Sequence, residues 1–167
     1  MRVLGIDCGS QYTGYGVVEQ GESRELVCCA AGAIKLTTRD PMPRKLQKIF
    51  TELTAIISKY QPQAVAIEDV FYAVNVKSAL KLGQIRGVAM LAASCCGLEV
   101  AEYSPLSIKS AVVGYGRAEK QQVQQMVMRL LKLATPPQPS DAADALAIAI
   151  CHIHTAATLN RYQTATS

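Results

Sequence analysis

The sequence predicts an α/β fold, a mixed five-stranded sheet flanked by helices, and three observations predict it. Three short apolar, strand-like runs follow one another at the N-terminus with only polar turns between them. Two further apolar runs, "QAVAIED" and "LEVAEYS", are each preceded by a stretch of helical period. From Pro105 onward the pattern is helical, interrupted only by "GYG" and "TPPQPS". Strands in close succession pair most simply as an antiparallel meander, whereas a strand, a helix and a strand make a parallel crossover.

The elements follow in order. Residues 2–7 form a short buried strand ending in Asp7. "TGYGVVEQ" and "RELVCCAAGAIKL" are two more, separated by the polar "GES" around Gly21. Between Pro43 and Tyr60, Leu46, Ile49, Phe50, Leu53, Ile56 and Ile57 recur at helical spacing. A fourth strand ends in Glu68. "SALKLGQIRGVAMLAASCCG" reads as a long apolar helix, and "LEVAEYS" as the fifth strand. "PLSIKSAVVG" starts a helix with Pro105 in its first turn, where a missing N–H costs nothing. "AEKQQVQQMVMRLLKL" is amphipathic, with Val123, Met126, Val127, Leu130 and Leu131 on one face, and "DAADALAIAICHIH" is the last helix. Residues 1–155 are expected to be one domain. The polar, small-residue segment 156–167 is expected to be a flexible tail.

With 167 residues, half of them apolar, the chain can bury a substantial core. A net charge of +4 is compatible with nucleic acid without requiring it. The sequence shows no secretory leader and no apolar run near the ~20 residues of a membrane span. Cys28–Cys29 and Cys95–Cys96 are adjacent pairs and read as small core residues. Cys8 and Cys151 stand alone, and neither His152 nor His154 has a cysteine at zinc-site spacing. A reduced, cytoplasmic protein without a structural metal is expected.

Four acids stand where a polar end meets an apolar element. Asp7 ends the first strand and Glu68 the fourth. Asp141 and Asp144, three apart at the start of the last helix, share one face at about 5–6 Å between Cβ atoms. If the first and fourth strands are neighbours, Asp7 and Glu68 face each other and the last helix can lay its acidic turn over both. Two such charges about 4 Å apart repel by about 4 kcal/mol at an effective dielectric near 20. Divalent cations resolve that repulsion, and hard oxygen ligands suit Mg²⁺ or Mn²⁺. Two ions about 3.5–4 Å apart can activate water and stabilise the leaving oxygen of a phosphodiester. Each acid also has a plainer reading: Asp141 after Ser140 as a helix-terminal residue, Glu68 beside Asp69 as loop chemistry, Asp7 before Gly9 as a turn residue.

"GIDCGSQYTGYGVV", "AIEDVFYAVNVKSALKLGQIRGV", "VVGYGRAEKQQVQQMV" and "SDAADALAIAICH" resemble, in order and spacing, the segments of the RuvC-type Holliday-junction resolvases. The resemblance covers essentially the whole chain up to the last helix. It implies a ribonuclease-H-like fold, a homodimer, and Mg²⁺-dependent nicking of two opposed strands at a four-way DNA junction, with two ions per site. It also implies partnership with a branch-migration helicase. The family's metal-binding acids fall on Asp7, Glu68, Asp141 and Asp144. Its phosphate-contacting lysines fall on Lys109 and on Lys120, a catalytic position, and its junction-probing aromatic falls on Phe71. Lys77 and Arg117 are the neighbouring cations expected to contact DNA. The chain departs from the family with Cys8 for a proline, Gln11 for an arginine and Val74 for a lysine.

The helix around Ser78–Gly97 is apolar nearly all round, through Leu80, Leu82, Ile85, Val88, Met90 and Leu91. It is either a deep core helix or one that meets a second copy. Two rival functions remain at this level. "D-x-G" followed by "GYG" also resembles the first phosphate loop of actin- and hexokinase-like nucleotide binders, though those need two lobes. A non-catalytic DNA-binding module is the other, and four clustered acids would serve it badly.

Overall fold

The computed structural model describes residues 1–69 and 75–165. Its elements run β1 (Arg2–Asp7), β2 (Tyr12–Gln20), β3 (Leu26–Lys35), α1 (Met42–Tyr60), β4 (Ala64–Glu68), α2 (Val76–Cys95), β5 (Val100–Tyr103), α3 (Pro105–Val113), α4 (Lys120–Leu130) and α5 (Ser140–Ala165). This is the expected order. The sheet is arranged β3-β2-β1-β4-β5. β1 pairs antiparallel with β2 and parallel with β4, while β2 pairs antiparallel with β3 and β4 parallel with β5.

Strand alternation sorts the core into two layers. Leu4, Ile6, Val65 and Ile67 pack toward Ile49, Leu53 and Ile57 of α1 and Ile85 and Ala89 of α2. Val3, Val18 and Ala66 pack on the other face, with Val127 of α4 and Leu146, Ile150 and Ile153 of α5. Full burial of one such side chain stabilises the fold by about 1.5–3 kcal/mol.

α5 lies unusually tight on the sheet because glycine lines its path. A Cβ on Gly5 would run into the Ala145 carbonyl oxygen, and one on Gly14 into that of Asp141. At these positions the helix backbone occupies the space a side chain would take. The helix continues to Ala165, past the boundary expected at residue 155. No glycine or proline interrupts it, and the hydroxyls of Thr155 and Thr158 donate to the carbonyls of Cys151 and His154 at 2.8 and 2.9 Å.

Two further points are decided. Of the two readings of α2, the deep core helix is excluded: it buries Ile85, Ala89, Ala92 and Ala93 but leaves Val76, Leu80 and Leu91 exposed. Cys95 and Cys96, expected in the core, are exposed at the end of that helix, because its last buried pair is Ala92–Ala93. Cys28 and Cys29 are partly buried, and all six cysteines are free thiols. Among the described residues no helix is long and apolar enough to cross a membrane.

Candidate active site

β1 and β4 run parallel with Ile6 opposite Ile67, so the next step along both strands brings Asp7 beside Glu68. Alternation turns both toward α5, since Gly5 meets the α5 backbone and Ala66 packs in the cluster that contains α5. α5 then supplies Asp141 and Asp144 from its first turns. Asp141 sits over the β1–β2 turn, its Oδ1 3.6 Å from where a Gly9 Cβ would be.

Two short helices bring the cations. α3 is started by Ser104, whose hydroxyl accepts from the Ser107 N–H at 3.1 Å, and stopped by Gly114 in the left-handed region at φ 83°. It carries Lys109. Glu119 and Gln122 close a reciprocal capping box at the start of α4, which places Lys120 in the first turn. The Lys120 ammonium donates to Asp144 Oδ2 at 2.6 Å.

These groups line a cavity of about 320 Å³ bounded by Asp7, Glu68, Lys109, Lys120 and Asp144, with Ile108, Val123 and Ile148 among its apolar walls. Burial pushes the Asp7 carboxyl up to about 7, helped by Asp144, Glu68 and Asp141 and opposed by Lys120. Glu68 is raised for the same reasons, burial first and then Asp144, with Lys109 and Lys120 acting against. The hydrogen bond to Asp144 raises Lys120. Three of the four acids line the cavity, and the charge of Asp141 helps to raise Asp7.

The donor set is all carboxylate oxygen, which fits a hard divalent cation and not a soft one. Among the described residues no three His, Cys, Asp or Glu side chains are drawn close enough to close on one ion. Lys120 supplies the counter-charge instead. An anionic cluster that holds one of its own members near neutral pH has a surplus of negative charge for a cation to satisfy.

The other expected residues separate from this group. Arg117 lies exposed in the α3–α4 connection and Lys77 exposed in the first turn of α2, and neither lines the cavity. Phe71 and Val74 lie outside the described residues. Cys8, where the resembling family has proline, is buried in the layer under α1 and α2, and burial with Asp7 nearby pushes its thiol to about 12. It is an inert packing residue. Sequence reasoning passed over Gly5 and Gly14, which seat α5, and Arg86, which binds the end of β4. The pattern of a glycine facing a small-residue helix was the available signal for the first two.

The profile of the family described as crossover junction endodeoxyribonuclease RuvC matches residues 3–152. The chain belongs to this family. It is therefore a nuclease that cuts DNA at crossover, or Holliday, junctions. It is 65% identical over 161 residues to the crossover junction endodeoxyribonuclease RuvC of Koribacter versatilis, covering 96% of this chain and 97% of the relative. It is 56% identical over 153 residues to that of Shewanella frigidimarina, covering 92% of this chain and 87% of the relative. A solved Thermus thermophilus RuvC bound to a Holliday junction substrate superposes with a TM-score of 0.87 at 30% identity, covering 95% of this chain and 96% of that one. The yeast mitochondrial Holliday junction resolvase Ydc2, 17% identical at a TM-score of 0.71, shares the fold. For a junction endonuclease, an acidic cavity is an electrostatic contradiction unless the anions serve the chemistry, because DNA presents a dense row of phosphates.

Proposed function

We propose that this chain resolves four-way DNA junctions by metal-dependent, symmetric nicking of two opposed strands, with Asp7, Glu68, Asp141 and Asp144 holding the metal. Mg²⁺, two ions per site, is the natural occupant, with Mn²⁺ as a substitute. The observation that carries this reading is the convergence of Asp7, Glu68 and Asp144 on one cavity with Lys109 and Lys120, where burial and the neighbouring acids push the Asp7 carboxyl up to about 7. A position so hostile to a carboxylate is worth keeping only if a cation repays it.

When bound, such ions supply an activated water and stabilisation of the leaving oxygen. The chain's own groups do the rest. Asp7 and Glu68, on adjacent strands, form the rigid base of the site, and Asp141 and Asp144 close it from α5. Lys120 and Lys109 bring positive charge to the rim, where each can meet a phosphate oxygen or charge that develops on it. The apolar walls formed by Ile108, Val123 and Ile148 lower the local dielectric, which strengthens each of these interactions. Arg117 and Lys77 act farther out on the junction, and Phe71 is the residue that the family resemblance assigns to probing it.

Paired cuts require paired sites. The exposed apolar side chains of α2, Val76, Leu80 and Leu91, support a homodimer that sets two cavities across a two-fold symmetric substrate. Delivery by a branch-migration helicase and action in the bacterial cytoplasm belong to the same reading. The test is a synthetic four-way junction with Mg²⁺, cut by the wild-type protein and by Asp7→Asn. Paired symmetric nicks from the first and none from the second are expected. Equal cutting by both would end the reading.

A further inference from the structure

β4 ends in Glu68 and a second acid, Asp69, follows directly, and only the first of them lines the cavity. Alternation turns their side chains to opposite faces of the sheet, Glu68 toward α5 and Asp69 toward α2. That preference is weak at a strand end, where the backbone leaves the ladder. What secures it is a single guanidinium. Arg86, in the middle of α2, donates from Nε to the backbone carbonyl of Glu68 at 3.3 Å. Its Nη2 donates to Asp69 Oδ1 at 3.3 Å and also pairs with Glu102 Oε2 on β5. The helix is anchored at this point, because Ile85 and Ala89 on α2 are fully buried against the sheet.

The arrangement does two things at once. The donor on the Glu68 carbonyl fixes the peptide from which the Glu68 side chain projects. The pairing with Asp69 neutralises a carboxylate that would otherwise stand unpaired next to the acidic cavity. The Asp69 N–H adds a third restraint, donating to the Tyr103 carbonyl at 2.7 Å. Arg86 is the only cation that pairs with Asp69 among the described residues. The guanidinium meets these acceptors from two separate nitrogens in one rigid plane, Nε on the carbonyl and Nη2 on the carboxylates, a spread that the single nitrogen of an ammonium lacks.

We propose that Arg86 is a positioning residue for the cutting reaction: by gripping the Glu68 carbonyl and holding Asp69 on the opposite face, it determines which of two adjacent acids serves the site. Through it the orientation of α2 is tied to the end of β4. The role rests on Glu68 being one of the metal-holding acids.

The experiment titrates Mn²⁺ into the metal-free, full-length protein and follows binding by electron paramagnetic resonance. Junction binding without metal and the Mg²⁺ dependence of nicking are measured in parallel. Arg86→Gln should weaken Mn²⁺ binding about 10-fold or more and raise the Mg²⁺ needed for half-maximal nicking by a similar factor. Metal-free junction affinity should stay within about 2-fold, since the Arg86 guanidinium is taken up by Glu68, Asp69 and Glu102. Arg86→Lys, which keeps charge and stem, should show an intermediate defect with a native circular dichroism spectrum, and it decides the matter if Arg86→Gln fails to fold. Adding Asp69→Asn to Arg86→Gln should recover part of the loss. Wild-type Mn²⁺ binding in Arg86→Lys beside weakened binding in Glu68→Gln would overturn the positioning role alone. Unweakened binding in Glu68→Gln would overturn the ligand assignment and the positioning role together.

Discussion

The Lys120 ammonium on α4 donates to the Asp144 carboxylate on α5 at 2.6 Å, joining two residues 24 positions apart in the chain. The lysine side chain is 59% exposed, so the pair contributes little to stability, and its value lies in the field it sets. Among the described residues Lys120 is the one charge that pulls Asp7 downward against burial and three neighbouring acids.

Removing that charge should move the enzyme's pH profile. In Lys120→Ala the Asp7 carboxyl rises further above about 7, so more of it is protonated at neutral pH. The acid limb of the nicking profile should shift to higher pH, and maximal turnover should fall about 10²-fold or more. If Lys120 also meets a phosphate, the log–log salt slope of junction binding should drop by about 0.9. A pH–rate series and a salt titration check both. An unmoved profile with wild-type turnover would remove Lys120 from the site.

Asp7 should destabilise the metal-free protein at high pH. Its folded value of about 7 lies above the ordinary carboxylate value. The folded state therefore binds the proton more tightly. Its favourable contribution is complete below the unfolded value and is lost as pH rises through about 7. Asp7→Asn, which cannot ionise, should raise metal-free stability at pH 8 by the order of 1–3 kcal/mol and by less at pH 5. It should also abolish cutting. Thermal melts at the two pH values, with chelator present, provide the measurement.

Gly14→Ala tests whether close seating of α5 matters. The added methyl meets the Asp141 carbonyl oxygen, which is backbone and cannot swing away. We expect a stability loss of about 1–3 kcal/mol from overpacking. Nicking at a temperature well below the melt should fall at least about 10-fold, because Asp141 and Asp144 ride on the displaced turn. Activity that merely tracks stability would show that the seating supports the fold and not the site.

The α2 surface predicts an association defect. Leu80 and Leu91 are 66% and 54% exposed, so Leu80→Lys with Leu91→Glu should leave the fold of each protomer intact by circular dichroism and lower the melting temperature only by the association it removes. Sedimentation should show the wild type as a dimer and the variant as a monomer. The variant should release single nicks where the wild type releases paired ones. A variant that still sediments as a dimer would place the interface elsewhere.

Much of this site was legible in advance because its parts are local. Asp7 and Glu68 could be placed at strand ends by the apolar runs before them, and Asp141 and Asp144 on one helical face by their spacing. Arg86 was not legible, since an arginine in an apolar helix looks like any solvated charge until its three acceptors are brought to it. The extension of α5 past residue 155 was missed because small polar residues read as a tail, although no helix breaker stands there.

The amino-acid order by itself determined the succession of strands and helices, the two faces of each strand, and the positions of four carboxylates at the ends of those elements. These depend on side-chain period and turn residues, which act over a few positions. Only the tertiary structure decided that β4 lies against β1, that glycines draw the α5 backbone onto the sheet, that Lys120 answers Asp144, and that Arg86 parts Glu68 from Asp69. Each of those is a choice of partner between distant segments. Such choices are made by how whole surfaces fit and by which charges burial brings together.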